Sequence, residues 1–139
     1  MKTVIKRFFI VFSGVLVLLL ALLSASLSAA EFQQIKPEEL KKMIESKKTD
    51  FLVVDAQPQG VYNTGHVKGA INLPWAPELK SPKNLPKDKL LIIYCDCAHE
   101  EDATDTATQL MEKWGYTNIG LLEGGWSKWQ ELGYPIGKK

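Results

Sequence analysis

LLIIYCDC, residues 90–97, is the stretch on which the fold turns. Five apolar or aromatic residues run without a polar break and stop at Cys95. A run this short, rich in isoleucine and tyrosine, predicts a strand buried on both faces, the burial that a parallel sheet requires. Leu85-Pro86-Lys87-Asp88 introduces it with turn residues. Phe51-Leu52-Val53-Val54, ending at Asp55, repeats the pattern, and Ala70–Leu73 and Ile119–Leu122 supply two more candidate strands. Helical signals fall between them. Pro37 followed by Glu38 and Glu39 opens one helix, with Leu40, Met43 and Ile44 as its apolar stripe. Ala103–Trp114 reads as a second, with Asp102 as its cap, Leu110 and Trp114 four apart on one face, and Gly115 as its stop. Gly124-Gly125 leads into a short closing helix carrying Trp126 and Trp129. Strands alternating with helices imply a parallel sheet covered on both faces, with ligands bound beyond the carboxyl ends of the strands. Cys95 stands at such an end.

The chain has 139 residues, and its first thirty read as a segment outside the folded domain. Lys2, Lys6 and Arg7 make a basic start, Phe8–Leu23 is almost wholly apolar, and Ser28-Ala29-Ala30 matches a signal-peptidase site. The expectation is a signal peptide over 1–30, cut after Ala30, and a periplasmic or otherwise exported protein. An uncleaved anchor, the one route to membrane association, is the alternative. Residues 31–139 then form one domain with a modest core. Without Lys2, Lys6 and Arg7 it carries 14 basic and 16 acidic side chains, a net charge of −2, which gives no support for nucleic-acid binding. Arg7 is the only arginine, so the domain lacks the two-pronged cation that holds phosphate or sulfonate. Both cysteines, Cys95 and Cys97, lie in the opening stretch. A bridge between residues two apart closes almost no loop and gains little entropy, so reactivity or metal binding reads as their better use.

Four ordered blocks resemble the rhodanese domain: Asp55; Gly65-His66-Val67-Lys68-Gly69-Ala70 with Asn72 and Pro74; Ile93-Tyr94-Cys95; and Leu122-Glu123-Gly124-Gly125-Trp126 with Trp129, Gly133 and Pro135. The resemblance implies an α/β fold, a five-stranded parallel sheet with helices on both faces. It also implies sulfur transfer through a persulfide, with Cys95 as the nucleophile, a sulfur donor and a thiol or protein acceptor as partners, and no cofactor. The loop after such a cysteine presents backbone N–H groups to the sulfur, helped by the amino end of the next helix. Here it comprises Asp96, Cys97, Ala98, His99, Glu100, Glu101 and Asp102.

The departures from the family pattern matter as much. The common Cys-x-x-Gly-x-Arg loop is replaced by a Tyr-Cys-x-Cys variant, and the arginine and glutamate that usually follow the aspartate correspond to Gln57 and Val61. Losing both members of such a pair costs less than losing one, so the fold is expected to survive. Between Lys89 and Lys113 there is no lysine or arginine but six acids: Asp96, Glu100, Glu101, Asp102, Asp105 and Glu112. These are expected to repel anionic donors and make thiosulfate a weak substrate, while short-range N–H groups still favour the thiolate. Cys97 reads either as a resolving or redox thiol or as a bystander; His99 as a solvated histidine or a base; Asp55 as an acceptor that orders its loop. His66, Trp126 and Trp129 read as structural. Two other classes stay open: a metal-binding or thiol-redox module using Cys95, Cys97, His99 and Glu100, although the gap between the cysteines is short for zinc, and an inactive rhodanese-like binding domain. The phosphatases of this fold need a loop arginine and are excluded.

Overall fold

The computed structural model describes residues 32–96 and 100–139. Five strands form one parallel sheet: β1 (Gln33–Ile35), β2 (Phe51–Asp55), β4 (Ile71–Asn72), β5 (Leu90–Tyr94) and β6 (Ile119–Leu122), in the order β1-β6-β5-β2-β4. The connections carry α1 (Pro37–Glu45), α2 (Gln59–Thr64), α3 (Glu101–Trp114) and α4 (Gly125–Glu131). Two short strands, β3 (His66–Val67) and β7 (Ile136–Gly137), pair antiparallel outside the main sheet.

The opening stretch behaves as its pattern predicts. β5 is central, in register with β2 from Phe51↔Leu90 to Asp55↔Tyr94 and with β6 from Leu91↔Ile119 to Ile93↔Leu121. Its side chains alternate between two cores. Leu91 and Ile93 join Val54, Ile119 and Leu121 beneath Ala103, Ala107 and Leu110 of α3. Ile92 and Tyr94 join Ile35, Val53 and Leu122 beneath Leu40 of α1 and Trp126 and Trp129 of α4. Leu91, Ile92, Ile93 and Tyr94 are all fully buried, so no polar residue fits anywhere in the run.

The helices begin and end for local reasons. Pro37 needs no N–H at the first turn of α1, and Glu38 and Glu39 face the positive end of its dipole. Gly115 closes α3 at φ 68, its N–H returning to the Met111 carbonyl at 3.0 Å; a left-handed stop of this kind suits glycine. The start of α3 differs from expectation. Asp102 is not the cap: the helix begins at Glu101, two residues before the expected Ala103, after Glu100 at φ 60, and no side chain among the described residues caps it. The Glu100 carboxylate is used elsewhere. β1, α2 and the β3–β7 pair are also additions to the pattern reading, being two- to six-residue elements too short for periodicity to register.

Ile93→Ala removes a fully buried side chain from the middle of the central strand. It should lower unfolding free energy by roughly 2–5 kcal/mol, measured by denaturant titration.

Candidate functional site

The site is built at the carboxyl ends of β2 and β5, where Asp55 and Tyr94 stand opposite each other. Asp55 is fully buried and gathers three donors. The Tyr94 hydroxyl donates to Oδ2, the Gln57 N–H to Oδ1 at 2.8 Å, and Gln57 Nε2 to Oδ2 at 3.1 Å. The Tyr94 hydroxyl in turn accepts the Val67 N–H at 3.0 Å. The Asp55 carbonyl takes the Leu73 N–H and Asn72 Nδ2, and Asn72 Nδ2 also reaches the Gln57 carbonyl. The Asp55 carboxylate thus ties β5 to the loop after β2, and its backbone carbonyl holds the end of β4. Burial pushes its carboxyl up from the ordinary 3.8, against the Tyr94 and Gln57 hydrogen bonds, which favour the carboxylate. Burial and the neighbouring Asp55 charge raise Tyr94 as well.

Cys95 follows directly and is buried. Its carbonyl accepts the Trp126 N–H at 2.9 Å, and Gly125, at φ 53, passes so close that a Cβ there would overlap the Cys95 carbonyl oxygen. Only glycine satisfies both demands. Two loop acids complete the clamp from the other side: Glu100 Oε1 accepts the Gly124 N–H at 2.7 Å, and Asp96 Oδ1 accepts the Ser127 hydroxyl at 2.7 Å. Asp105 is likewise occupied, taking Trp75 Nε1 at 2.6 Å and Gln109 Nε2 at 2.8 Å. The acidic run is therefore largely a docking set. Three of its six carboxylates hold neighbouring segments against the Cys95 loop and α3.

Beside Cys95 lies an open cleft of about 230 Å³ lined by Gln57, Pro58, Val61, Cys95, Asp96 and Asp102. Asp102, expected as a helix cap, lines this cleft, and Glu101 is exposed on the first turn of α3. Gln57 and Val61, read from sequence only as replacements for a lost ion pair, are cleft walls. Their offset from Asp55 was the signal that could have placed them there. A larger cleft of about 530 Å³ runs along α1 to Leu90 at the opposite end of β5, and among the described residues no cysteine or histidine lines it. Cys97, Ala98 and His99 lie outside the described residues. His66 donates from Nδ1 to the Tyr62 carbonyl at 2.8 Å and stacks on the Tyr62 ring, while Trp126 and Trp129 are buried in the core; all three are structural. Among the described residues no three potential metal ligands cluster.

Cys95 itself is disulfide-bonded in the structure, where the sequence reading gave a disulfide little weight.

A cysteine at the carboxyl end of the central strand of a five-stranded parallel sheet, clamped by a diglycine turn, is the arrangement of an α/β fold with its site at the strand ends. The family model for the rhodanese-like domain matches residues 36–132, and the chain belongs to that family. It is 31% identical over 100 residues to the sulfur carrier protein TtuD of Thermus thermophilus, a match covering 60% of this chain and 34% of that one. It is 26% identical over 102 residues to the thiosulfate sulfurtransferase GlpE of Shewanella oneidensis, covering 73% and 96%. The chain spans only 21% of the adenylyltransferase and sulfurtransferase of Meyerozyma guilliermondii, at 28% identity and 60% of its own length. Among solved structures, a rhodanese-related protein of Thermoplasma volcanium aligns at TM-score 0.62 and 26% identity, covering 78% and 100%. The rhodanese-like domain of an Anabaena protein aligns at 0.64 and 23%, covering 78% and 81%.

The raised Asp55 carboxyl has a signed consequence. Its native state holds the proton more tightly than the unfolded chain does, so its contribution to stability is complete below about 3.8 and is lost as pH rises through the native value. Asp55→Asn cannot titrate. The difference in Tm between this variant and the parent should move in the variant's favour from acid to neutral pH, measured by thermal unfolding. A difference constant with pH would mean that the carboxyl is not desolvated.

Proposed function

We propose that the protein is an exported sulfurtransferase that carries sulfane sulfur on Cys95. The observation that supports this most directly is the position of Cys95, at the carboxyl end of the central strand of a rhodanese-like sheet and on the wall of a cleft. A dithiol first reduces the disulfide. The Cys95 thiolate then attacks the sulfane sulfur of a donor, the donor's remaining thiolate or sulfite leaves, and a Cys95 persulfide forms. A thiolate acceptor attacks the outer sulfur, takes it, and regenerates the Cys95 thiolate. Each half-step is a displacement at sulfur with no net redox change, and dividing the transfer in two lowers both barriers. Relatives that include a sulfur carrier and a thiosulfate sulfurtransferase support a thiol or a protein as acceptor.

The disulfide at Cys95 favours a role for Cys97 in the same cycle. A Cys97 thiolate attacking the inner sulfur of the persulfide would expel hydrosulfide and form the bridge, so that the two cysteines act as carrier and resolving thiol. Cys95→Ser should abolish both sulfur transfer and the mass gain of one sulfur atom, because a serine hydroxyl is far less nucleophilic at neutral pH. Cys97→Ser should form the persulfide but release hydrosulfide slowly. Intact-mass spectrometry and sulfide assay after exposure to several donors check both. Persulfide retained in Cys95→Ser and lost in Cys97→Ser would move the nucleophile to Cys97, and a metal lost from either variant with no sulfur carried by the parent would favour the metal-binding alternative.

Export rests on the sequence of residues 1–30, which lie outside the described residues. The basic start, the apolar run and Ser28-Ala29-Ala30 support cleavage after Ala30 and a periplasmic or other exported location. N-terminal sequencing of the processed protein should begin at Glu31; a chain beginning at Met1 in a membrane fraction would establish an anchor instead.

A further inference from the structure

We propose that the mouth of the Cys95 cleft is a docking surface for a protein sulfur partner, with Trp75 and Val61 as its apolar anchors. The partner brings its thiol to Cys95 on a protruding segment whose flanking side chains are apolar and basic. This deepens the sulfurtransferase reading and rests on it.

Three large apolar side chains are exposed among the described residues: Val61 at 40%, Trp75 at 39% and Ile136 at 43%. Ile136 lies on β7, outside the main sheet. The other two flank the cysteine. Val61 lines the Cys95 cleft. The Trp75 N–H donates to the Ala56 carbonyl at 2.8 Å, and Ala56 adjoins Gln57 of the cleft wall. The Trp75 indole Nε1 donates to Asp105 Oδ2 at 2.6 Å, one helical turn past Asp102 of the same wall. These two bonds hold Trp75 at the carboxyl end of the sheet, beside the cleft. The loop that carries it is fastened to α3 as well, where Gln109 Oε1 accepts the Leu79 N–H at 2.7 Å and Gln109 Nε2 donates to the Ala76 carbonyl at 2.9 Å. An indole held in this way loses little freedom when a partner covers it, and tryptophan is enriched among the residues that carry interface energy. Single exposed apolar side chains need no explanation, but two of three gathered at the cleft of the reactive cysteine do.

Size and charge select the occupant. The cleft, about 230 Å³, lies below the ~300–1,000 Å³ of pockets that enclose drug-sized ligands. It admits one side chain or chain end and leaves the rest of the partner on the rim, against Val61 and Trp75. The charged side chains on the described wall are Asp96 and Asp102, with Glu101 and Asp105 beside Asp102 on α3. Lys83 also reaches this end of the sheet, where its Nζ donates to the Asn72 carbonyl at 3.4 Å. Carboxylates therefore dominate the wall, so basic side chains beside the partner's thiol meet opposite charge and acidic ones meet like charge.

The test uses the reduced Cys97→Ser protein, in which Cys95 is the one thiol, and cysteine probes activated as 2-pyridyl disulfides. The Cys95 thiolate attacks the probe's cysteine sulfur, forms a mixed disulfide and expels pyridine-2-thiolate, which takes up a proton to give 2-thiopyridone; its absorbance reads the rate. The probes are N-acetylcysteine amide and three capped pentapeptides: Lys-Leu-Cys-Leu-Lys, Lys-Ser-Cys-Ser-Lys and Glu-Leu-Cys-Leu-Glu. Rates are divided by those with 2-mercaptoethanol, which removes the probes' intrinsic reactivity. The lysine–leucine peptide should exceed the amide by about tenfold or more, the factor that about 1.4 kcal/mol produces. It should also exceed both other peptides, and its lead over the glutamate peptide should shrink as salt is raised. Trp75→Ala and Val61→Ser should each bring the ratio of the lysine–leucine to the lysine–serine peptide toward one. Equal normalised rates across the probes would overturn the proposal, as would a Trp75→Ala protein that keeps this ratio. A glutamate peptide as fast as its lysine counterpart would overturn the basic partner. If Trp75→Ala does not fold, Val61→Ser decides, because its side chain is exposed on α2, and an unchanged ratio there overturns the docking surface. Persulfide formation is scored separately by mass. Its absence with the peptide selectivity intact would remove the sulfurtransferase reading and leave the docking surface standing.

Discussion

The active end of this domain depends on one buried carboxylate. Asp55 is fully enclosed, and a carboxylate placed there is tolerable only because the Tyr94 hydroxyl and two Gln57 donors surround it. The cost of its burial has a structural return. Tyr94 ends the central strand and immediately precedes Cys95, so the hydrogen bond that satisfies Asp55 also sets where the Cys95 backbone begins. Gln57, whose amide is held by the same carboxylate, is one of the residues that line the cleft beside the cysteine.

The second constraint is steric and acts from the opposite side. The carbonyl of Cys95 is held by the Trp126 N–H and pressed by Gly125, while Trp126 is buried in the core beneath β5. The start of α4 is thus anchored by apolar packing and passes that rigidity to the cysteine through a single peptide contact. Glu100 and Asp96 extend the clamp with hydrogen bonds to Gly124 and Ser127. Glu100 and Asp96 thus turn carboxylate oxygens toward N–H and O–H donors, while Asp102 lines the cleft beside Cys95.

That segment separates this chain from family members whose loop carries an arginine. No arginine follows Arg7, and Asp96 and Asp102 are the charged side chains among the described residues that line the cleft beside Cys95. The loss of the usual arginine and glutamate after the aspartate has a similar logic. Gln57 keeps the donor function toward Asp55 without a charge, and Val61 needs no partner at all.

Much of the fold was legible in short apolar runs. Leu90–Tyr94 and Phe51–Val54 declared strands buried on both faces because each contains no residue that could face water, and Gly115 declared a helix end because a left-handed stop suits its missing side chain. The position of Cys95 at a strand end followed from the same pattern. The edge strand Gln33–Ile35 did not, since three residues carry too little periodicity, and Asp102 misled because a good capping residue says nothing about whether the loop before it supplies another start. The sequence by itself thus determined the layers, the central strand and the location of the cysteine, all of which depend on local hydrophobic pattern. Only the tertiary structure decided what the acids do and which way the Gln57 amide points. Those outcomes depend on partners such as Gly124 for Glu100 and Ser127 for Asp96, 24 and 31 residues distant along the chain, which meet only once the sheet has formed.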